Sequence, residues 1–178
     1  NAQERLNLYC EVQSDPELNT LTIYGTPGLL AQSNYGSNPV RGAHQMGDYK
    51  YFVVGNTLWE ESNNGTKTSR GTLLTSGEKV SISDNGTQII IVDGTYGYIY
   101  NTSTLAFVQI TDADFPGADT VTFQNGYFIV NKPGTGSFYI SALYDGLSWD
   151  ALDFAEVETE PDAILDAVVL DGVIAFGG

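Results

Sequence analysis

The sequence predicts an all-β chain, a β-propeller-like segment of antiparallel four-stranded blades that is incomplete as a propeller, and three observations carry that expectation. Glycine and tyrosine are abundant, 20 and 11 of 178 residues, against a single methionine, a balance that suits turns and pleated surfaces. Short apolar runs alternate with glycine-bearing turns and do not recur at helical spacing. The turns themselves repeat: Gly47, Gly86, Gly126 and Gly172 lie 39, 40 and 46 residues apart. One propeller blade takes roughly 40 to 50 residues.

Residues 1–45 read as an N-terminal lead-in with the first strands, and 46–178 as about three blades, the last one truncated. The first and loosest copy of the unit passes from Met46-Gly47-Asp48 into Tyr51-Phe52-Val53-Val54-Gly55 and then Thr57-Leu58-Trp59. The second runs from Val80 to Gly86, through Gln88 to Gly94, and into Tyr96-Gly97-Tyr98-Ile99-Tyr100. The third takes Val121 to Gly126, Tyr127 to Val130 and Phe138-Tyr139-Ile140; the last takes Ala167 to Gly172 and Val173 to Gly177. Asn-Gly and Asp-Gly favour type I′ hairpin turns, in which both central residues need φ > 0, so each unit is expected to meander. Ile89 to Val92 is apolar on both faces, as in a strand held between neighbouring blades, whereas Tyr96, Tyr98 and Tyr100 alternate as on a half-exposed strand. Helical spacing is confined to a turn or two around Trp149 to Phe154, which Pro161 keeps short. Asn1 begins without Met, and Gly178 directly follows an apolar strand. The expectation is a segment of a larger blade-built protein with an open sheet edge.

Charge narrows the function classes. Seven basic residues against 22 acidic ones give a formal net charge of -15, which opposes the counterion release that drives binding to nucleic acid or anionic lipid. No sequence-specific nucleic-acid binding and no membrane association are expected. Strong acidity suits a solubilising surface, or a wall past which DNA slides without sticking. Cys10 is the sole cysteine, so neither an intrachain disulfide nor a cysteine-rich zinc site can form. No run reaches the 18 or more apolar residues of a membrane helix.

Several residue groups invite a chemical reading. Asp112, Asp114 and Asp119 surround Pro116-Gly117, the donor type a hard cation needs, but the closing bidentate glutamate of a calcium loop is missing. An acidic turn without metal is expected. Glu156, Glu158, Glu160 and Asp162 make an acid/base pair only if two face each other across a cleft; a solvated acidic loop is the simpler expectation. His44, the sole histidine, could pair with Cys10 or a serine, yet no Gly-x-Ser-x-Gly elbow accompanies it, and a corner histidine bonding a neighbouring turn is favoured. Asn64, Asn85 and Asn101 open Asn-x-Ser/Thr triplets, two of them Asn-Gly pairs that hairpin chemistry explains. Trp59, Trp149 and the tyrosines could stack on a sugar or fill the blade core, and strand-alternating spacing favours core. No catalytic, cofactor-binding or metal-binding residue is assigned, and no enzyme activity is expected.

A further signal is the order of short motifs. Asn7-Leu8-Tyr9 with Glu11, Thr26-Pro27-Gly28-Leu29 and Pro39-Val40-Arg41-Gly42 are followed by Phe138-Tyr139-Ile140-Ser141 and by Ser148-Trp149-Asp150-Ala151-Leu152-Asp153-Phe154-Ala155. Glu160-Pro161-Asp162 and Val173-Ile174-Ala175-Phe176-Gly177 complete the series. This order, from Asn7 to Gly177, resembles the phage packaged-DNA stabilisation proteins, tail accessory proteins of short-tailed phages and related prophages. The resemblance implies a virion protein, assembled in the bacterial host cytoplasm, that forms a homo-oligomeric ring below the portal and its adaptor and contacts other tail proteins. It implies closure of the tail channel after genome packaging, no catalytic residues, and further blades beyond the point corresponding to Gly178. Two other classes are a secreted or surface propeller that binds carbohydrate, and a hydrolase on a propeller scaffold. The latter needs convergent carboxylates or a metal, and the sequence offers no such constellation.

Overall fold

The computed structural model describes residues 8–12, 21–25, 34–157, 163–170 and 172–177, in two compact units, Asn1–Asn34 and Tyr35–Gly178. In the first unit, β1 (Leu8–Val12) and β2 (Leu21–Gly25) pair antiparallel, with Cys10 opposite Ile23.

The second unit begins with a four-stranded sheet of β3 (Val40–Met46), β4 (Tyr49–Val54), β5 (Thr57–Ser62) and β6 (Lys67–Thr72). This sheet takes in Val40 to Met46, most of which the sequence left in the lead-in. A second sheet holds β7 (Ser81–Asp84), β8 (Gln88–Val92), β9 (Gly97–Asn101) and β10 (Ala106–Gln109). A third holds β11 (Val121–Gln124), β12 (Tyr127–Asn131), β13 (Ser137–Ala142) and β14 (Asp145–Glu156). A hairpin of β15 (Asp166–Leu170) and β16 (Val173–Gly177) follows. Every sheet is an antiparallel meander with its strands in chain order. The first strands β3, β7, β11 and β15 contact one another in succession, and the outer strands β6 and β10 also meet. The sheets therefore stack face to face as blades with their first strands innermost, and they do not close on themselves. Among the described residues there is no helix.

Stacking explains the apolar runs. Along β8 the side chains alternate: Ile89 and Ile91 join Tyr51, Val53 and Leu58 of the first sheet, while Ile90 and Val92 join Phe128 and Val130 of the third. All four are fully buried, and burial of such a side chain is worth about 1.5–3 kcal/mol. β9 behaves the same way, which corrects the half-exposed reading of its tyrosines. Tyr98 and Tyr100 are buried against the first sheet and Ile99 against the third. The phenols fit because their hydroxyls are paired: Tyr98 Oη accepts from the Leu74 amide at 2.9 Å, and Tyr100 Oη donates to Glu60 Oε2 at 3.1 Å.

The four repeat glycines each occupy a first hairpin turn with positive φ. Type I′ geometry, with both central residues at positive φ, is met at Asn125-Gly126, where φ is 53° and 92°. At Asn85 and Asp93 the side chain closes the turn. Asn85 Oδ1 accepts from the amides of Thr87 and Gln88 at 3.0 and 2.7 Å, and Asp93 Oδ1 accepts from Thr95 and Tyr96 at 3.1 and 2.7 Å. The helical turn expected around Trp149 to Phe154 is also corrected, because this stretch lies within β14. Ser141 faces Trp149 and Tyr139 faces Phe154, with register shifts between them. The extra β14 residues in those bulges break the alternation that would have marked a strand.

Candidate functional site

Antiparallel strands put the first-to-second and third-to-fourth turns of every blade on one face and the remaining connections on the other. Hydrogen bonds knit the first face together from blade to blade. His44 Nε2 meets Asp84 Oδ2 at 2.6 Å, and the other oxygen of Asp84 accepts from the Gly86 amide at 2.8 Å. The corner histidine thus holds a neighbouring turn. Asn85 Nδ2 donates to the Tyr144 carbonyl at 3.3 Å, Gln88 Oε1 accepts from the Gly146 amide at 2.9 Å, and Gln124 donates to the Gly172 carbonyl.

On the opposite face Arg41 is the clasp. Its buried guanidinium donates to the Gly55 carbonyl at 3.0 Å, to the Thr75 carbonyl and hydroxyl at 2.8 Å each, and to the Glu78 carbonyl. Thr75 Oγ1 in turn donates to Asp93 Oδ2 at 2.5 Å. Asn131 repeats the device two blades on. Its carbonyl accepts from the Asp119 and Thr120 amides, and its amide donates to the Ile164 carbonyl at 2.9 Å.

Between the first and second sheets sits a charged cluster. Arg70 pairs with Glu60 Oε1 at 2.6 Å and lies over the Tyr100 ring. Burial and then the adjacent Glu60 charge push the Tyr100 phenol up to about 12, and push Tyr51 up further still. The hydrogen bond to Glu60 raises Arg70 above its ordinary value. A cleft of about 560 Å³ opens beside this cluster, bordered by Met46, Tyr49, Gly86 and Leu105. Chemically the cluster is a clasp. Both Glu60 oxygens are engaged, and no second carboxylate borders the cleft beside Glu60 except Asp48 at its turn.

The residues singled out in the sequence do not converge. Asp112 accepts from the Asp114 and Trp149 amides, each at 3.0 Å, and these bonds hold its carboxyl below the usual range. Asp119 lies beside Gly94. Among the described residues no group of three or more His, Cys, Asp or Glu side chains could hold a metal. Glu156 accepts from the Ser137 hydroxyl at 3.3 Å; Glu158, Glu160 and Asp162 lie outside the described residues. Asn64 and Asn101, like Asn85, turn their carbonyls onto nearby backbone amides. Trp149 is buried, with Nε1 donating to the Gly146 carbonyl at 2.9 Å, so it offers no sugar-stacking face. Trp59 packs against Tyr35, ring centroids 5.8 Å apart. Sequence reasoning missed Arg41, Glu60, Arg70 and Asn131. Asn131 alone offered a signal, a lone polar residue closing the apolar run Tyr127 to Val130, which a surface position shares; Glu60 and Arg70 stand among other polar residues. No described helix is long and apolar enough to cross a membrane.

Known structures share the architecture. The WD40 domain of Neurospora crassa Pan2 is 8% identical, with a TM-score of 0.51 and coverage of 78% of this chain and 46% of that one. The N-terminal domain of Nup159 is 14% identical, with a TM-score of 0.51 and coverage of 78% and 39%. A S. cerevisiae Dbp5 structure with Nup159 and Gle1 is 12% identical, with a TM-score of 0.51 and coverage of 87% and 40%. At these identities the likeness shows the propeller fold alone. The chain spans less than half the length of each. No curated protein matches the chain in sequence. A family does: the one described as bacteriophage P22 Gp10, β-propeller, matches residues 8–178. With the blades in place and nearly the whole sequence matched, the chain belongs to this family of phage packaged-DNA stabilisation proteins.

Proposed function

We propose that this chain is part of a structural protein of the phage tail that attaches below the portal and its adaptor and closes the channel, retaining packaged DNA. The observation that carries the reading is the family match over residues 8–178. The work is geometric: stacked blades make a stiff wall, and a net charge of -15 keeps DNA from adhering to it. No turnover is involved, and the clasped carboxylates and arginines serve to hold blades in register. The ring forms on the adaptor, because rim surfaces complement a partner more often than they suffice alone.

The test is the association state of the full-length protein, by light scattering after size exclusion, with and without a purified portal–adaptor complex. One defined ring that appears only with the adaptor is the expected result. No binding to the complex overturns the tail reading, and a stable ring of the isolated protein overturns its adaptor dependence.

A further inference from the structure

The third-to-fourth-strand turn of each complete blade holds one residue at positive φ. In the first blade it is Gly65, the residue type that conformation favours; in the second it is Leu105 at 59° and in the third Tyr144 at 56°. A bulky side chain at such a φ is an outlier that the fold must hold in place. Both are also exposed, Leu105 at 54% and Tyr144 at 60%, so core packing does not repay the strain. Two blades keep a strained, exposed hydrophobe where the first blade uses glycine.

These side chains belong to one continuous surface. Leu105 and Tyr49 border the same cleft with Gly86, and Asn85 next to Gly86 bonds the Tyr144 carbonyl. The Tyr144 ring lies 6.1 Å from Phe123, and the adjacent Gln124 bonds Gly172, beside exposed Val173. Charge selects the occupant. With a net charge of -15, duplex DNA, an anionic lipid surface and a second copy of this chain are all of like sign.

We propose that this turn face is the docking surface for a different tail protein, one that presents apolar residues bordered by lysine and arginine. Leu105 and Tyr144 are its anchors. This rests on the tail reading above and adds the face and the residues. A partner of this kind gains apolar burial at the centre and opposite charge at the rim.

The experiment uses the full-length protein and the purified portal–adaptor complex, measuring Kd and Tm for wild type, the Leu105→Asn, Tyr144→Asn double variant, and Leu74→Ser on the opposite face. Asparagine tolerates positive φ. The double variant is expected to keep or raise Tm while binding about ten-fold or more weaker, in keeping with loss of interface anchors. Leu74→Ser is expected to bind as wild type, and added salt to weaken binding. Wild-type binding that the double variant retains, or that Leu74→Ser loses equally, overturns the surface while leaving the tail reading in place. Absence of wild-type binding overturns both. A double variant whose Tm falls in step with its affinity assigns the two side chains to folding and overturns their anchor role.

Discussion

Glu60 shows how a single charge is kept inside a stack of apolar sheets. Arg70 supplies the counter-charge, and Tyr100 and Tyr51 supply phenols that must stay protonated beside it. A phenol whose folded value is raised contributes stability that is full below its ordinary value of 10.0 and lost as pH climbs toward about 12 for Tyr100. Thermal melts should therefore hold steady up to pH 10 and fall across that window, with tyrosinate absorbance rising in parallel. Glu60→Gln should shrink the fall, because its charge is the second cause after burial. An unchanged slope would place the whole effect in desolvation. None of this was legible in the sequence, where strand neighbours face opposite sides and Glu60-Glu61-Ser62 gives no sign of which carboxylate is covered. Burial arises only when the second sheet closes over it. Trp149 lies in the core as its residue type suggested, although its stretch read as a helical turn, and its indole N–H bonds the Gly146 carbonyl three residues away.

At the scale of elements, blades approach closely where a residue lacks a side chain. A Cβ placed on Gly71 in β6 would lie 2.2 Å from the Phe107 ring of β10, so the outer strands of two sheets touch through a glycine. Gly71→Ala should cost about 1–3 kcal/mol through overpacking, seen as a lower denaturant midpoint. Gly77, with open space around it and no positive φ, should take alanine with a gain of about 0.4–1 kcal/mol. Equal effects at the two sites would contradict this account. The β8 strand was legible because burial on both faces leaves an unbroken Ile-Ile-Ile-Val run. β14 was not, because bulges opposite Tyr139 and Ser141 disturb the two-residue period. The turns were legible as positions through their glycines but not as types, since at Asn85 and Asp93 the side chain closes the turn in place of a second positive φ.

Across the whole second unit, repetition was the most readable property, since turn glycines at near-constant spacing need no tertiary knowledge. Which side chains line which face was not readable, because that depends on how successive sheets stack. The β15–β16 hairpin leaves β16 as an edge, and a groove of about 460 Å³ lies between it and β12–β13, lined by Tyr127, Ile129, Ile140 and Ile174 among others. An uncovered edge beside an apolar groove templates further pairing. The 178-residue chain should therefore self-associate as its concentration rises, and Ala175→Lys on that edge should weaken the association. Sedimentation that shows a strictly monomeric chain at high concentration would contradict both expectations.

The alternation along β8 has one further consequence. Since Ile89 and Ile91 serve one neighbour and Ile90 and Val92 the other, the middle sheet has no private core. It cannot melt without opening two interfaces. The sheets are then coupled as in a one-dimensional array, whose stability is a sum of each repeat's own stability and its nearest-neighbour terms.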